Sequence, residues 1–261
     1  MAPVLYETDD RIGVITLNRP DARNAVDREL ALALEAAVDR LEEEPDLRVG
    51  VLTANIDGQA RPVFCAGADL NVIRETGSAA TLDTERGGFA GFVYREREKP
   101  IVVAVDGLAT AGGMEIVLAA DVVVATTRSS FGLAEVRHNL IAAAGGLFRL
   151  PRAIGRAPAM DAILTGEPID ATRAYQLGLI SRLVEPGAAF ETAMDVARTI
   201  AAAAPLAVRA SRAVVRAAAL ADDDTLRDLS RALLDDLLES DDAAEGLRAF
   251  AEKRPPQWKG H

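Results

Sequence analysis

Residues 11 to 17 run Arg-Ile-Gly-Val-Ile-Thr-Leu, an alternation that suits a half-buried strand, and Asn18-Arg19-Pro20-Asp21 ends it with turn chemistry. From Asp27, an N-cap residue, Leu30, Leu34, Val38 and Leu41 recur at helical spacing opposite Glu35, Asp39 and Glu42. That spacing predicts an amphipathic helix ending near Pro45. Short apolar runs at Val49–Thr53, Ile101–Val105 and Asp121–Ala125 predict buried strands, favoured over helix by their β-branched residues and by Pro100 ahead of the second. Helical segments between them complete the alternation of an α/β layer.

Beyond about residue 145 the pattern becomes helical. Asp170 is placed to cap a short helix closed by Gly178, and Leu226, Leu229, Leu233 and Leu237 stripe a longer one. Asp222, Asp223 and Asp224 precede that stripe, where negative charge complements a helix N-terminus. The alanine run Ala201–Ala204 reads as helix rather than linker. The expected organisation is a core over residues 1–195 and a C-terminal helical region over 196–261, packed as part of the same unit.

With 261 residues, 49% of them hydrophobic, the chain is able to bury a substantial core. A formal charge of −11 disfavours nucleic acid as a main partner. The single Cys65 excludes an intramolecular disulfide and a four-cysteine zinc site, so a reducing, cytoplasmic setting is expected. The first ten residues lack the basic and apolar regions of a signal peptide, and no apolar run approaches the roughly 20 residues of a membrane span.

Candidate chemistry centres on Glu115 and Glu135 and on two segments where bare backbone approaches a ligand. In Ala111-Gly112-Gly113-Met114-Glu115, Gly112 precedes a helix expected over Met114–Ala120, so its amide stands where orphan donors and the helix dipole favour an anion. In Phe64-Cys65-Ala66-Gly67-Ala68-Asp69-Leu70, the Ala66-Gly67-Ala68 turn offers a second donor. The same glycines equally suit a tight turn and close packing, and both glutamates equally suit a helix terminus or the surface. Residue spacing leaves both readings open.

The chain has no Gly-x-x-x-x-Gly-Lys-Ser/Thr loop, no Gly-x-Ser-x-Gly elbow and no His-Glu-x-x-His helix, which removes support for ATP hydrolysis, serine hydrolysis and zincin chemistry. Glu135 and His138 have Glu-x-x-His spacing, with Glu115 as a third ligand. A metal is nevertheless not expected, because His261 is the only other histidine and no second such motif exists. Cys65 is expected to be a small buried residue before a turn.

Several signatures in order resemble the crotonase superfamily, also called the enoyl-CoA hydratase/isomerase family, over nearly the whole chain. They are Leu17–Ala25, Phe64–Leu70, Ala111–Glu115, Phe131-Gly-Leu-Ala-Glu135 and Glu245–Arg254. The resemblance implies an α/β spiral of strand-strand-helix units followed by helices that mediate trimerisation, often giving a hexamer of two trimers. It implies a coenzyme A thioester as substrate and no separate cofactor. By position, the amides of Ala68 and Gly112 would hold the thioester oxygen while Glu115, as base, and Glu135, as acid, flank the double bond. Backbone at Ala66, Asp69 and Leu70 and the side chain of Arg23 would meet coenzyme A, with Phe250 and Lys253 reaching over from a neighbouring subunit. Asn139, Ala142 and Ala143 depart from the Gly, Pro and Gly found there in many hydratases.

Hydration of a trans-2-enoyl-CoA to a 3-hydroxyacyl-CoA is the leading expectation. The alternatives are double-bond isomerisation, another crotonase-type reaction, and non-catalytic acyl-CoA binding.

Overall fold

The computed structural model describes residues 1–78 and 80–260. The chain begins with a hairpin of β1 (Val4–Asp9) and β2 (Ile12–Leu17), paired from Val4 with Leu17 to Asp9 with Ile12. β2 is the strand that alternation predicts. β1 escapes a pattern-based reading because its outward positions are open, in the order half-buried, exposed, half-buried and then exposed to its end, so pairing rather than burial holds it. Asp27 caps α1 (Arg28–Glu43) by accepting from Leu30 N, and α1 delivers Leu30, Leu34, Val38 and Leu41 to the core. Each such leucine, removed from water, contributes roughly 2 kcal/mol.

A unit of two strands and a helix then repeats. β3 (Val49–Ala54) leads to β4 (Val63–Cys65) and α2 (Leu70–Thr76). After a short ribbon of β5 (Asp83–Thr84) and β6 (Gly88–Phe89), β7 (Ile101–Val105) leads to β8 (Leu108–Thr110) and α3 (Gly112–Ala119). Next, β9 (Val122–Thr126) leads to β10 (Ser130–Gly132), a 3₁₀ turn at Glu135–His138, and the helices α4 (Gly146–Ile154) and α5 (Arg156–Thr165). β11 (Ile169–Asp170), α6 (Ala171–Gln176) and β12 (Arg182–Val184) close the winding, and Asp170 caps α6 through Arg173 N.

The first strands of each unit build a six-stranded sheet in the order β1-β2-β3-β7-β9-β12, and the second strands build a four-stranded sheet, β11-β10-β8-β4. In the larger sheet every pair beyond the opening hairpin is parallel, so both faces need cover. Ile15, Leu52 and Val103 point into the core shared with α1, while Val14, Val51 and Val102 on the opposite face pack on Ala193, Met194 and Ala197. Those three lie on α7 (Ala189–Ala202). This two-residue alternation shows why such runs form strands buried on both sides.

α8 (Pro205–Ala217), α9 (Asp223–Leu238) and α10 (Asp241–Glu252) follow, with Asp222 capping α9 as its charge suggests. The alanine run is helical only to Ala202. Ala203 and Ala204 turn extended because the residue before Pro205 is barred from the helical region. The tail folds back on the chain: Arg48 Nη2 donates to Trp258 O at 2.9 Å and Trp258 Nε1 to Ala202 O at 3.0 Å. Arg254 and Arg248, with the Gln257 N–H, hold the Glu245 carboxyl far below the usual carboxylate range and fix this turn. Among the described residues no helix is long and apolar enough to cross a membrane.

Candidate active site

The short parallel strands β4 and β8 end side by side, and the loops leaving them form a cradle of backbone. α3 packs so closely on β4 that a Cβ at Gly113 would lie 2.1 Å from Cys65 O. Gly67, with φ of +86°, comes so near the start of α3 that its Cβ would lie 2.8 Å from Gly112 N. Ala111, which turns the chain into α3, holds φ of +51° and ψ of −127°, a conformation foreign to side-chain-bearing residues. Such strain costs on the order of 1–3 kcal/mol and persists only where the surroundings impose it. Here the Ala111 N–H is tied to Gly132 O at 2.8 Å.

Most amides of the first loop are already engaged. Ala66 N donates to Arg23 O at 3.1 Å, Gly67 N to Cys65 Sγ at 3.4 Å and Asp69 N to Val26 O at 2.9 Å. The N–H groups of Ala68 and Gly112 have no partner among the described residues. Two amides thus stay unpartnered on either side of the Gly67 approach, and the one at Gly112 carries the positive end of the α3 dipole.

Glu115 lies in the first turn of α3 and is 3% exposed. Its Oε1 accepts from Gly146 N at 2.9 Å, at the beginning of α4. Burial pushes its pKa up to about 7. The Gly146 N–H opposes that rise and the Glu135 carboxyl adds to it, while the Ala144 N–H and the Arg149 charge pull the other way. Glu135 starts the 3₁₀ turn after β10. Burial raises its pKa as well, and its Oε2 is buried without a hydrogen-bond partner among the described residues. The structure therefore brings together two protonatable carboxyls whose environments both oppose charge.

The residues assigned to coenzyme A are more dispersed. The Asp69 carboxylate is occupied as the N-cap of α2, accepting from Asn71 N at 3.1 Å and pairing with Arg19 at 3.3 Å. Leu70 is 64% exposed beside it. Arg23 contributes its carbonyl to the first loop and lines a cavity of about 500 Å³ with Arg61, Arg128, Val63, Leu108 and Ser130. Val63, Leu108 and Ser130 begin β4, β8 and β10, so this cavity opens at the strand ends opposite the cradle. Phe250 (87% exposed) and Lys253 project from α10 and its cap into solvent.

Cys65 is fully buried, donates to Asn24 O at 3.1 Å, and has its thiol pKa pushed up to about 12 by burial, which suits packing and not nucleophilic attack. His138 is exposed, and no cluster of metal-ligating side chains occurs among the described residues. Asn139 adopts φ of +57°, which asparagine tolerates better than most side-chain-bearing residues, so the turn after Glu135 closes without glycine. Phe89 packs against Gly112, where a Cβ would lie 2.4 Å from the ring. Gly146, Tyr94 and Arg149, absent from the sequence-based set, reach this site only through long-range packing. The Gly145-Gly146 pair before a helical stretch was the one local signal.

A wound sheet pair with open backbone donors beside two buried carboxyls defines a crotonase-type α/β enzyme, and similarity to known proteins is extensive. The family model for enoyl-CoA hydratase/isomerase matches residues 7–261. The chain is 38% identical over 261 residues to (E)-benzylidenesuccinyl-CoA hydratase of Thauera aromatica, covering 99% of each chain. It is 36% identical over 251 residues to carnitinyl-CoA dehydratase of Salmonella typhi, covering 94% of each. The crystal structure of an enoyl-CoA hydratase from Mycobacterium tuberculosis superposes with a TM-score of 0.93 at 41% identity, with all of both chains covered. The chain belongs to the enoyl-CoA hydratase/isomerase family and is an enzyme of the hydratase type, a lyase.

Proposed function

We propose that the enzyme adds water to a trans-2-enoyl-CoA to give a 3-hydroxyacyl-CoA, with the amides of Ala68 and Gly112 as the oxyanion donors. The observation that carries this reading is the pairing of Glu115, raised to about 7 yet anchored by Gly146, with the unpartnered Oε2 of Glu135. Addition at Cβ moves negative charge onto the thioester oxygen, and fixed N–H donors aimed there stabilise the enolate-like state without reorganising. Glu115 takes a proton from the attacking water and Glu135 delivers one to Cα, so the single negative charge of the pair moves from Glu115 to Glu135 and the net charge of the buried site is unchanged. The Glu135 carboxyl adds to the upward shift of Glu115, so the two acids are coupled and not independent.

Coenzyme A lies across Ala66, Asp69 and Leu70 in this reading. With the Ala66 and Asp69 amides already engaged, contact falls to the Leu70 N–H at the start of α2, to carbonyls and to the exposed Leu70 side chain. The test is to supply 2-enoyl-CoA and 3-enoyl-CoA thioesters separately, including the benzylidenesuccinyl and carnitinyl skeletons named in the two relatives, and to weigh the products. Gain of one water is the expected result. An unchanged mass with a shifted double bond would instead identify an isomerase.

We further propose a homotrimer, alone or doubled to a hexamer, in the cytoplasm. No residue of α9 is buried within one chain, and Val215, Leu220, Leu234, Leu238, Leu247 and Phe250 on α8 to α10 and their links are each more than half exposed. Apolar exposure on this scale marks an interaction surface. Sedimentation is expected to give three or six chains per particle, and a stable monomer would refute the assembly.

A further inference from the structure

We propose that Tyr94 and Arg149 are positioning residues for Glu115, clasping the 93–94 segment to the turn at 143–146 whose backbone N–H groups hold the Glu115 carboxyl. The inference rests on the reading of Glu115 given above only for its effect on rate. Its structural content stands on contacts. Arg149 Nη2 donates to Val93 O at 2.6 Å and Nη1 to Ala144 O at 3.3 Å. Tyr94 Oη donates to Ala143 O at 3.1 Å. The guanidinium carbon lies 5.2 Å from the Tyr94 ring centre and 5.5 Å from that of Phe148, within cation–π range. The turn so held presents Gly146 N to Glu115 Oε1 at 2.9 Å, with Ala144 adding a weaker donor.

Two glycines make room for the two clasp members, and both hold positive φ. A Cβ at Gly145 (φ +110°) would lie 2.5 Å from Arg149 Nη1, and one at Gly88 (φ +61°) would lie 2.4 Å from Tyr94 Cδ2. Ala142 and Ala143 carry no turn chemistry of their own, so the shape of this turn is imposed from outside. The same loop that supplies Val93 and Tyr94 also lays Phe89 on Gly112, so one segment touches both the proposed oxyanion donor and the turn that anchors the Glu115 base.

The charged groups around the pair are few. Glu115 faces Glu135 and Arg149, Glu135 faces His138, and Arg149 faces Tyr94, Arg152 and Arg216. Loosening the clasp weakens the N–H donors to the Glu115 carboxylate, and removing Arg149 also removes a favourable charge, so both changes push Glu115 toward its protonated form.

The experiment uses Tyr94→Phe, Arg149→Lys and Arg149→Gln in the full-length chain. Its first readout is the Glu115 carboxyl titration followed by isotope-edited carboxyl NMR without substrate, assigned by the signal lost in Glu115→Gln. The expected result is an upward shift in Tyr94→Phe, a larger one of about half a pH unit or more in Arg149→Gln, and partial rescue in Arg149→Lys. The second readout is kinetic: kcat falls about 3-fold in Tyr94→Phe and roughly 10-fold in Arg149→Gln, with KM within about 2-fold, because geometry at the Glu115 base changes while thioester binding does not. Should Arg149→Gln fail to fold, Tyr94→Phe decides, since it removes one hydroxyl and keeps the ring. An unmoved Glu115 titration in folded Tyr94→Phe and, where it folds, Arg149→Gln would overturn the clasp. A shifted titration in an enzyme that hydrates no thioester would keep the clasp and reject the hydratase reading instead.

Discussion

Glu115→Gln is expected to lower hydration turnover by about 100-fold or more, with Glu135→Gln in the same range, the scale at which positioned proton-transfer groups act. Glutamine keeps the length of the side chain, and its Oε1 still accepts the Gly146 N–H, so the site is expected to hold its shape while losing a proton acceptor. Steady-state hydration of the best thioester from the mass screen provides the measurement. Near-normal turnover in both variants would remove these residues from the chemistry.

A stability change should accompany the lost activity, with a defined sign. Burial raises the Glu115 pKa from 4.5 to about 7, so between those values the folded chain keeps a proton that the unfolded chain has released. The stabilisation this provides is complete below about 4.5 and is lost as pH rises through about 7. At pH 8 the ionised, buried carboxylate is a liability on the order of 3 kcal/mol. Glutamine carries no such charge. Denaturant unfolding at pH 8 is expected to find Glu115→Gln more stable than the parent by an amount on the order of 2 kcal/mol, a gap that narrows toward pH 5. In the parent enzyme, kcat/KM is expected to fall as pH drops through about 7, because protonation removes the base.

Gly67→Ala is expected to lower turnover by about 100-fold to 1,000-fold, the range associated with losing one oxyanion donor. The new Cβ would stand 2.8 Å from Gly112 N, 2.9 Å from Ala111 Cβ and 3.1 Å from Thr110 O, all parts of the backbone entering α3, so relief requires moving the cradle itself. The methyl group would also sit over the open Gly112 N–H. Positive φ adds a backbone penalty of about 1 kcal/mol. Gly77 separates the two effects: its φ is +68°, yet a Cβ there meets nothing within 4 Å. Gly77→Ala should therefore lose only the backbone penalty of about 1 kcal/mol and keep its turnover. Equal activity in the two variants would show that steric closure of the cradle is not what matters.

Local patterns carried much of the fold. The Asp27, Asp170 and Asp222 caps are set by interactions within a few residues, the α1 stripe and the apolar strands are marked by their own residue periodicity and type, and all occur where the pattern places them. β1 did not register because its partner, and not its own burial, makes it a strand. The signature segments likewise pointed to Glu115, Glu135 and the two loops. The resemblance also named the Ala68 and Gly112 amides, which stay unpartnered among the described residues, but residue spacing alone did not single them out, since Ala66 and Asp69 are consumed by Arg23 O and Val26 O, more than forty residues away in sequence. Arg23 shows where local reading stops: a phosphate role suits its charge, and only the fold shows that it lines a cavity with Arg61 and Arg128 at the starts of β4, β8 and β10.

The sequence by itself determined the residue types and their periodicity: buried strands, capped helices, two glycine-bearing loops and two acids twenty residues apart. Only the tertiary structure decided that Gly146, Val93, Tyr94 and Arg149 converge behind Glu115, and that Glu135 turns an unpartnered oxygen into the same interior. Helix caps and strand alternation are short-range and leave their mark on neighbouring residues. The protonation of a buried acid depends on how much water the whole fold excludes and which distant N–H groups it aims there, and no stretch of chain encodes that alone.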